Sequence, residues 1–354
     1  MLKYFKGSIL VTIIGVLAAY FWGEHNHAGS GFLALFVVSF LAILEVTLSF
    51  DNAVVNAIKL EKMNDTWRHR FLTWGIAIAV FGMRFLFPII VVAAFSGLTV
   101  LAVTQLALND VDKYTYYLHM AHAPLVTFGG AFLLMIFFAY FFHQEKEVNW
   151  ITLIEKPLLK LNCVKYVDVV FCLIALMILQ HFIPVEQKVS VVLAGMTGII
   201  LYLVVDSISN LLEQVAEKRA AVMGGSAKLG FIGFLYLELI DASFSLDGVL
   251  GSFAISKDII IITIGLAIGA MFVRSLTIYM VDKKTLKEFI YLEHGAHWAI
   301  GFLAIIMFIS TKVEISEVIT GGTGLVIVAS AFISSIIHNK KQLQSQIKEI
   351  VENK

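Results

Sequence analysis

Residues 45–54 read Glu-Val-Thr-Leu-Ser-Phe-Asp-Asn-Ala-Val, and residues 241–250 read Asp-Ala-Ser-Phe-Ser-Leu-Asp-Gly-Val-Leu. An acid, a serine, a second acid and a small residue coincide without a gap, at an offset of 196 residues. Both stretches lie within long apolar segments. An acid at the centre of a membrane-spanning helix costs at least about 2.5–3.5 kcal/mol. The two stretches therefore indicate a duplicated membrane protein that keeps acidic groups in its interior.

Two further matches follow in the same order along the chain. Gly75-Ile-Ala-Ile, followed by Arg84, corresponds to Gly265-Leu-Ala-Ile, followed by Arg274, at an offset of 190 residues. A histidine motif then matches at an offset of 175 residues. Because the offsets differ only through loop lengths, the three matches together indicate an internal repeat.

The composition is typical of an integral membrane protein. Of 354 residues, 59% are hydrophobic and 15% are charged, and the mean hydropathy is +0.87. The net charge is zero, which argues against nucleic acid as a partner. The two cysteines, Cys163 and Cys172, match no metal-binding or redox spacing.

A helix needs about 20 mostly apolar residues to cross a bilayer. Ten segments meet this requirement: 5–22, 31–58, 71–95, 120–142, 166–183, 189–212, 229–255, 259–280, 294–311 and 318–338. Segment 5–22 is predicted to be an uncleaved span, with a signal peptide as the alternative.

The basic residues predict the orientation of these spans. Twenty of the 26 lie in one set of alternating loops, four lie in the other set, and two lie within spans. Because lysine and arginine accumulate in cytoplasmic loops, both termini are expected on the cytoplasmic side of the membrane.

The matched elements divide the chain into two units of five spans each. The predicted fold class is therefore all-α and polytopic, with about ten transmembrane helices. The expected divisions are a first repeat at 1–187, a second at 188–338 and a polar tail at 339–354. An odd number of spans inserts the second copy upside down, as in many secondary transporters. Channels and rigid membrane scaffolds also arise by duplication and remain alternatives.

Helical spacing places Glu45, Ser49 and Asn52 on one face of the second span. On an ideal helix, Asp51 and Asp247 lie off the face that carries the first acid of their own motif. A local unwinding at each motif is therefore expected to bring them inward. The resulting candidate cation ligands are Glu45, Ser49, Asp51, Asn52, Glu238, Asp241, Ser245 and Asp247.

Carboxylate, hydroxyl and amide oxygens are the ligands that Mg²⁺, Ca²⁺ and Mn²⁺ prefer. Arg84 and Arg274 would compensate or gate this acidic site; the alternative is that each arginine ties helices together in an ion pair. Two arginines cannot neutralise the five acids in the predicted segments 31–58 and 229–255, which favours a bound cation.

The histidine motif reads His119-Met-Ala-His122 in the first half and His294-Gly-Ala-His297 in the second. Residues at i and i+3 share a helix face and could bind metal where the ion enters or leaves. Solvation at the membrane interface is the alternative explanation.

The sequence 49–53, Ser-Phe-Asp-Asn-Ala, preceded by Glu45, resembles the TerC family of integral membrane proteins. The span pattern agrees with a long, duplicated bacterial branch of that superfamily over residues 31–335. The resemblance implies manganese export, supply of metal to exported enzymes, or tellurite resistance. By position, it marks as metal-site candidates Glu45, Asp51, Asn52, Asp241 and Asp247. The second copy departs from this pattern at Gly248, which occupies the position of Asn52 in the first copy.

The predicted function is secondary transport of a divalent cation, namely export of Mn²⁺ from the cytoplasm. The metal is the substrate rather than a prosthetic group, and protons are the candidate coupling ion. A non-transporting scaffold of a metal or tellurite stress-response complex is the alternative. No phosphate-binding loop or nucleophile motif is present, so the chain is predicted not to be an enzyme. The bilayer is the expected surrounding partner, and the sequence leaves the oligomeric state open.

Overall fold

A computed structural model describes residues 2–26, 29–61, 63–143, 148–223, 230–231, 233–241, 252, 255–256, 258–283, 289–313, 315 and 317–352. Its elements are helical. They are α1 (Leu2–Asn26), α2 (Gly31–Leu48), α3 (Phe50–Glu61), α4 (Asp65–Ala77), a π-helical segment (Ile78–Leu86), α5 (Phe87–Ser96), α6 (Val100–Asn109), α7 (Val111–His143), α8 (Thr152–Lys160), a 3-10 turn (Leu161–Cys163), α9 (Val167–Leu179), α10 (Val185–Met223), α11 (233–241), α12 (Ile259–Asp282), α13 (Leu292–Ser310) and α14 (Glu317–Glu352).

Six helices of the described chain are long and apolar enough to cross a membrane. They are α1, α7, α10, α12, α13 and α14, and the bent pair α2–α3 is a seventh if it counts as one span. The protein is therefore a multi-pass helical membrane protein, as the composition predicts. The polar tail at 339–354 continues α14 as far as Glu352.

The predicted number of ten spans is not reached among the described residues, for three different reasons. Segment 71–95 is divided into α4, the π-helical segment and α5. Segment 166–183 contains α9, whose 13 residues extend about 20 Å and fall short of a 30 Å hydrocarbon core. About half of segment 229–255 lies outside the described residues.

Helix α12 lies at the centre of the packing around the charged residues. It packs against α1, α2, α3, α4 and the π-helical segment. Its buried side chains cover all of its faces, from Ile259 to Val281. A helix that is apolar all round belongs in the interior of a bundle. The arginine it carries, Arg274, is therefore shielded from lipid by neighbouring helices.

The chain bends by 55° between α2 and α3. Ser49 lies at the break with non-helical φ and ψ of −101° and 16°, and its amide still donates to the carbonyl of Glu45. The first motif thus contains a bend at Ser49, while the predicted inward position of the Asp51 side chain falls outside the described part of the structure. The bend turns Glu45 and Asn52, which lie on either side of it, towards the same interior.

The residues from Ile78 to Leu86 form a π-helix that ends close to Pro88. Proline at the start of α5 has no amide hydrogen to donate, so the ordinary hydrogen-bonding ladder is interrupted there. Wide π-helical turns often occur at functional sites because they displace side chains from the regular helical positions. Here the wide turn carries Arg84, which is 4% exposed.

Candidate functional site: a buried network of arginines and carboxylates

The first part of the network lies within the first half of the chain. Arg84 forms a salt bridge and a hydrogen bond with Glu45 through Nη2 and Oε1. The Ser49 hydroxyl donates to the same Glu45 oxygen over 3.1 Å. The acid and the arginine are 3% and 4% exposed, respectively, so a charge on Glu45 depends on these contacts.

A comparable pair lies within the second half. Arg274 Nη2 donates to Glu238 Oε1 over 3.3 Å, and Arg274 Nη1 donates to the carbonyl of Phe71 over 2.9 Å. The guanidinium carbon also lies 4.2 Å from the centre of the Phe71 ring, within the range of a cation–π contact. Arg274 therefore joins an acid of its own half to a helix of the first half.

Asp241 connects the two pairs. Its Oδ1 accepts a hydrogen bond from the Asn52 amide over 2.7 Å. Its Oδ2 lies 3.9 Å from Arg84 Nη1 and 3.9 Å from Arg274 Nη2, between the two guanidinium groups. Asp241 is 6% exposed. The acid of the second motif thus meets the amide of the first.

The charges of this network do not balance. The described side chains supply three carboxylates, of Glu45, Glu238 and Asp241, against two guanidinium groups. Glu238 Oε2 and Asp241 Oδ2 are buried and accept no hydrogen bond from the described residues. A buried negative charge without full compensation favours binding of a cation or a proton.

Two glycines allow the helices to approach closely at the network. A Cβ atom at Gly269 of α12 would lie 2.5 Å from Glu45 Cβ and 2.8 Å from the carbonyl oxygen of Ala42. A Cβ atom at Gly75 of α4 would lie 2.6 Å from both Arg274 Nη1 and Glu238 Oε1. Each half therefore places a glycine of one helix against the acidic helix of the other half. The sequence identified Gly75 only as a marker of the repeat and did not identify Gly269.

Not all of the predicted ligands can be located. Asp51 lies in α3, but its side chain is outside the described part of the structure. Ser245 and Asp247 lie outside the described residues altogether. Among the side chains that are described, no group of three or more histidines, cysteines or acids is arranged to hold a metal ion. The described network is therefore an ion-pair cluster with open acceptor atoms rather than a complete ligand shell.

The structure places the histidine motifs in different surroundings. His119 is exposed on α7, and His122 is partly buried on the same helix. His294 and His297 are buried on α13. The His297 ring stacks on Tyr140 at 3.6 Å between ring centres, and its Nδ1 lies 2.8 Å from the carbonyl oxygen of Glu293.

His294 lies against a second buried acidic site, a carboxylate that the sequence did not reveal. Its Nδ1 lies 3.0 Å from Oε2 of Glu155, a carboxylate with no exposed surface. Glu155 also accepts hydrogen bonds from the Trp298 indole and from the amides of Trp150 and Ile151. Glu155 belongs to the short helix α8, far from His294 in sequence. No spacing rule links two residues so distant along the chain, so the pattern could not predict this pair.

The pair fixes α8 to α13 in a pH-dependent manner. Burial alone would raise the pKa of Glu155 from its ordinary value of 4.5, but the His294 and Trp298 side chains and the Ile151 amide lower it to about 2. Since the folded pKa is the lower one, this stabilisation is complete above about pH 4.5 and is lost as the pH falls towards 2.

Replacing Glu155 by glutamine is expected to destabilise the docked state of α8 by about 1 kcal/mol, because the His294 imidazole loses its charged partner. Hydrogen exchange of the α8 amides should become about fivefold faster at neutral pH. In the wild type, protection of α8 should fall between pH 4.5 and 2, and the variant should lack this change. Glu186, an exposed acid, provides the control Glu186→Gln. Equal exchange in wild type and Glu155→Gln would show that the pair does not hold α8.

These features define the class of protein: a multi-pass helical membrane protein whose bundle encloses a network of two arginines and several carboxylates. Residues 50–342 match the family described as "Protein of unknown function (DUF475)". The match covers most of the chain, which therefore belongs to this family. No curated protein and no solved structure matches the chain.

Proposed function

We propose that the protein is a secondary transporter that exports a divalent metal cation, Mn²⁺, from the cytoplasm through the network around Asp241. The observation that carries this proposal is the surplus of buried carboxylates over arginines, with Glu238 Oε2 and Asp241 Oδ2 left as open acceptors among the described residues. Open carboxylate oxygens suit a hard divalent cation better than they suit a purely structural ion pair.

Two further ligands would complete the site. Asp51 and Asp247 belong to the same motifs as Glu45 and Asp241, and each adds a carboxylate close in sequence to the network. With Glu238 there are then five acids, which together with the two arginines carry a formal charge of −3. One divalent cation adds two positive charges. The remaining negative charge would then be balanced by one proton, which offers a route to coupling with the proton gradient.

The inverted repeat is part of the proposal. Corresponding elements of the two halves make contacts across the halves: α12 packs against α2, and Gly75 of α4 lies close to Glu238 of α11. Such reciprocity is expected when two copies of one unit are related by an axis in the membrane plane. The ten-span topology, both termini on the cytoplasmic side and the bacterial inner membrane belong to the same proposal. The distribution of basic residues supports the topology and the orientation, and the resemblance to the TerC family supports the bacterial inner membrane.

A flux assay tests the proposal. Wild-type protein in liposomes is expected to carry Mn²⁺, detected by a trapped fluorescent indicator, and a pH gradient should change the rate. Replacing Asp241 by asparagine keeps the side chain's size but removes a charge shared by both arginines, so flux should fall by at least about tenfold. The exposed-acid variant Glu186→Gln should transport as the wild type does. Absence of wild-type flux, with or without a pH gradient, would overturn the proposal.

The second candidate is a non-transporting scaffold of a metal or tellurite stress-response complex. The pairing of Arg84 with Glu45 and of Arg274 with Glu238 favours it, because ion pairs of this kind can simply tie helices together. Under this alternative, Asp241→Asn would alter stability only. Correctly folded Asp241→Asn protein that has lost flux would distinguish the transporter from the scaffold.

A further inference from the structure

A cavity of about 490 Å³ lies between α7, α9 and α13, away from the charged network. Its walls include Phe138 of α7, Ile178 of α9, and Ile305 and Phe308 of α13. Its volume falls within the range of small-molecule sites, about 300–1,000 Å³. The cavity is therefore large enough to hold part of a ligand.

The lining of this cavity is apolar except at one end. Thr311 and Lys312 follow α13 and lie at that end. The Thr311 hydroxyl donates to the carbonyl of Phe308 over 2.6 Å and is thereby satisfied. Lys312 is exposed, and its ammonium group lies 5.5 Å from the centre of the Phe182 ring. The cavity thus combines a long apolar surface with one positive charge at its rim.

The surroundings of the cavity identify the medium to which it opens. Ile178 is 57% exposed, Phe182 55% and Ile305 51%. In a multi-pass membrane protein, exposed apolar side chains on neighbouring helices face hydrocarbon. An apolar cavity that opens onto such a surface is accessible to lipid chains. A lysine beside it extends its charge towards the headgroup region.

We infer that this cavity binds an acyl chain of an anionic phospholipid, whose phosphate lies against Lys312. The charge of the lysine complements the phosphate, and the apolar walls complement the chain. Zwitterionic lipids carry the same chains and would enter the same cavity with less headgroup attraction. The inference is independent of the transported ion.

Native mass spectrometry of the purified full-length protein tests the inference. The protein is incubated with equal amounts of dioleoyl phosphatidylglycerol and dioleoyl phosphatidylcholine, and retained lipid is counted. Wild type should prefer the glycerol lipid. Lys312→Gln should reduce that preference about fivefold, the contribution expected of one lysine near an anionic surface. Lys113→Gln, a change at an exposed lysine that does not line the cavity, should leave the preference unchanged.

A second variant tests the cavity itself. Ala175 lines the wall on α9, and Ala175→Trp would fill the space that an acyl chain occupies. Retention of both lipids should then fall, with little change in their ratio. The inference is overturned if Lys312→Gln keeps the wild-type preference, if both lysine variants lose it equally, or if Ala175→Trp retains lipid as the wild type does.

Discussion

Replacing Arg84 by methionine is expected to lower the free energy of unfolding by about 3–5 kcal/mol. Methionine approximates the length of the arginine stem, so the main change is the loss of the guanidinium group. Glu45 would then remain almost fully buried, with the Ser49 hydroxyl as the remaining hydrogen-bond donor to its side chain among those described. Asp241 would also lose one of the two positive charges near its Oδ2.

A double variant distinguishes the charge from the packing. In Arg84→Met with Glu45→Gln, the uncompensated carboxylate is gone, so most of the lost stability should return. Stability is measured by thermal or denaturant unfolding in detergent, with equal expression in the membrane as a separate readout. If the double variant is no more stable than Arg84→Met alone, the pair does not carry the stability assigned to it.

Replacing Gly269 by alanine is expected to cost about 1–3 kcal/mol, because a single methyl group overfills the contact between α12 and α2. The added Cβ would overlap the Glu45 side chain and the carbonyl of Ala42, and the latter belongs to a helical backbone that cannot turn aside. The two helices would therefore have to separate, which also lengthens the contacts of Glu45 within the network.

Gly322 provides the matched control. It lies in α14, and a Cβ atom there would meet no atom within 4 Å. Alanine is preferred over glycine within a helix by about 0.5–1 kcal/mol, so Gly322→Ala should be neutral or slightly stabilising. The two variants are compared by unfolding under identical conditions. Similar stability in both would mean that the close approach at Gly269 is not a tight constraint.

The sequence alone was sufficient for the broad architecture and for part of the site. Long apolar segments predict membrane helices, and the matched motifs predict that Asn52 and Asp241 belong to one site. The structure joins these two side chains by a hydrogen bond. The number of spans was harder to predict because hydropathy cannot register a π-helical interruption or a helix as short as α9.

Other features depended on contacts between distant residues. Phe71 holds Arg274 through its carbonyl and its ring, although neither group has a signature in the sequence. Glu155 and His294 lie on elements whose docking no periodicity specifies. The predicted roles of Asp51 and Asp247 remain predictions, since their side chains lie outside the described residues.

The position of each arginine along the chain also has a consequence for how the protein is made. Arg84 follows Glu45 by 39 residues, and Arg274 follows Glu238 by 36. Each acid therefore acquires its counter-charge from the next stretch of chain to leave the ribosome, and for Glu45 this happens before the second half exists. A nascent first half can enter the bilayer with Glu45 already neutralised. Asp241, whose hydrogen bond comes from Asn52 far upstream, completes the network only when synthesis reaches the second half.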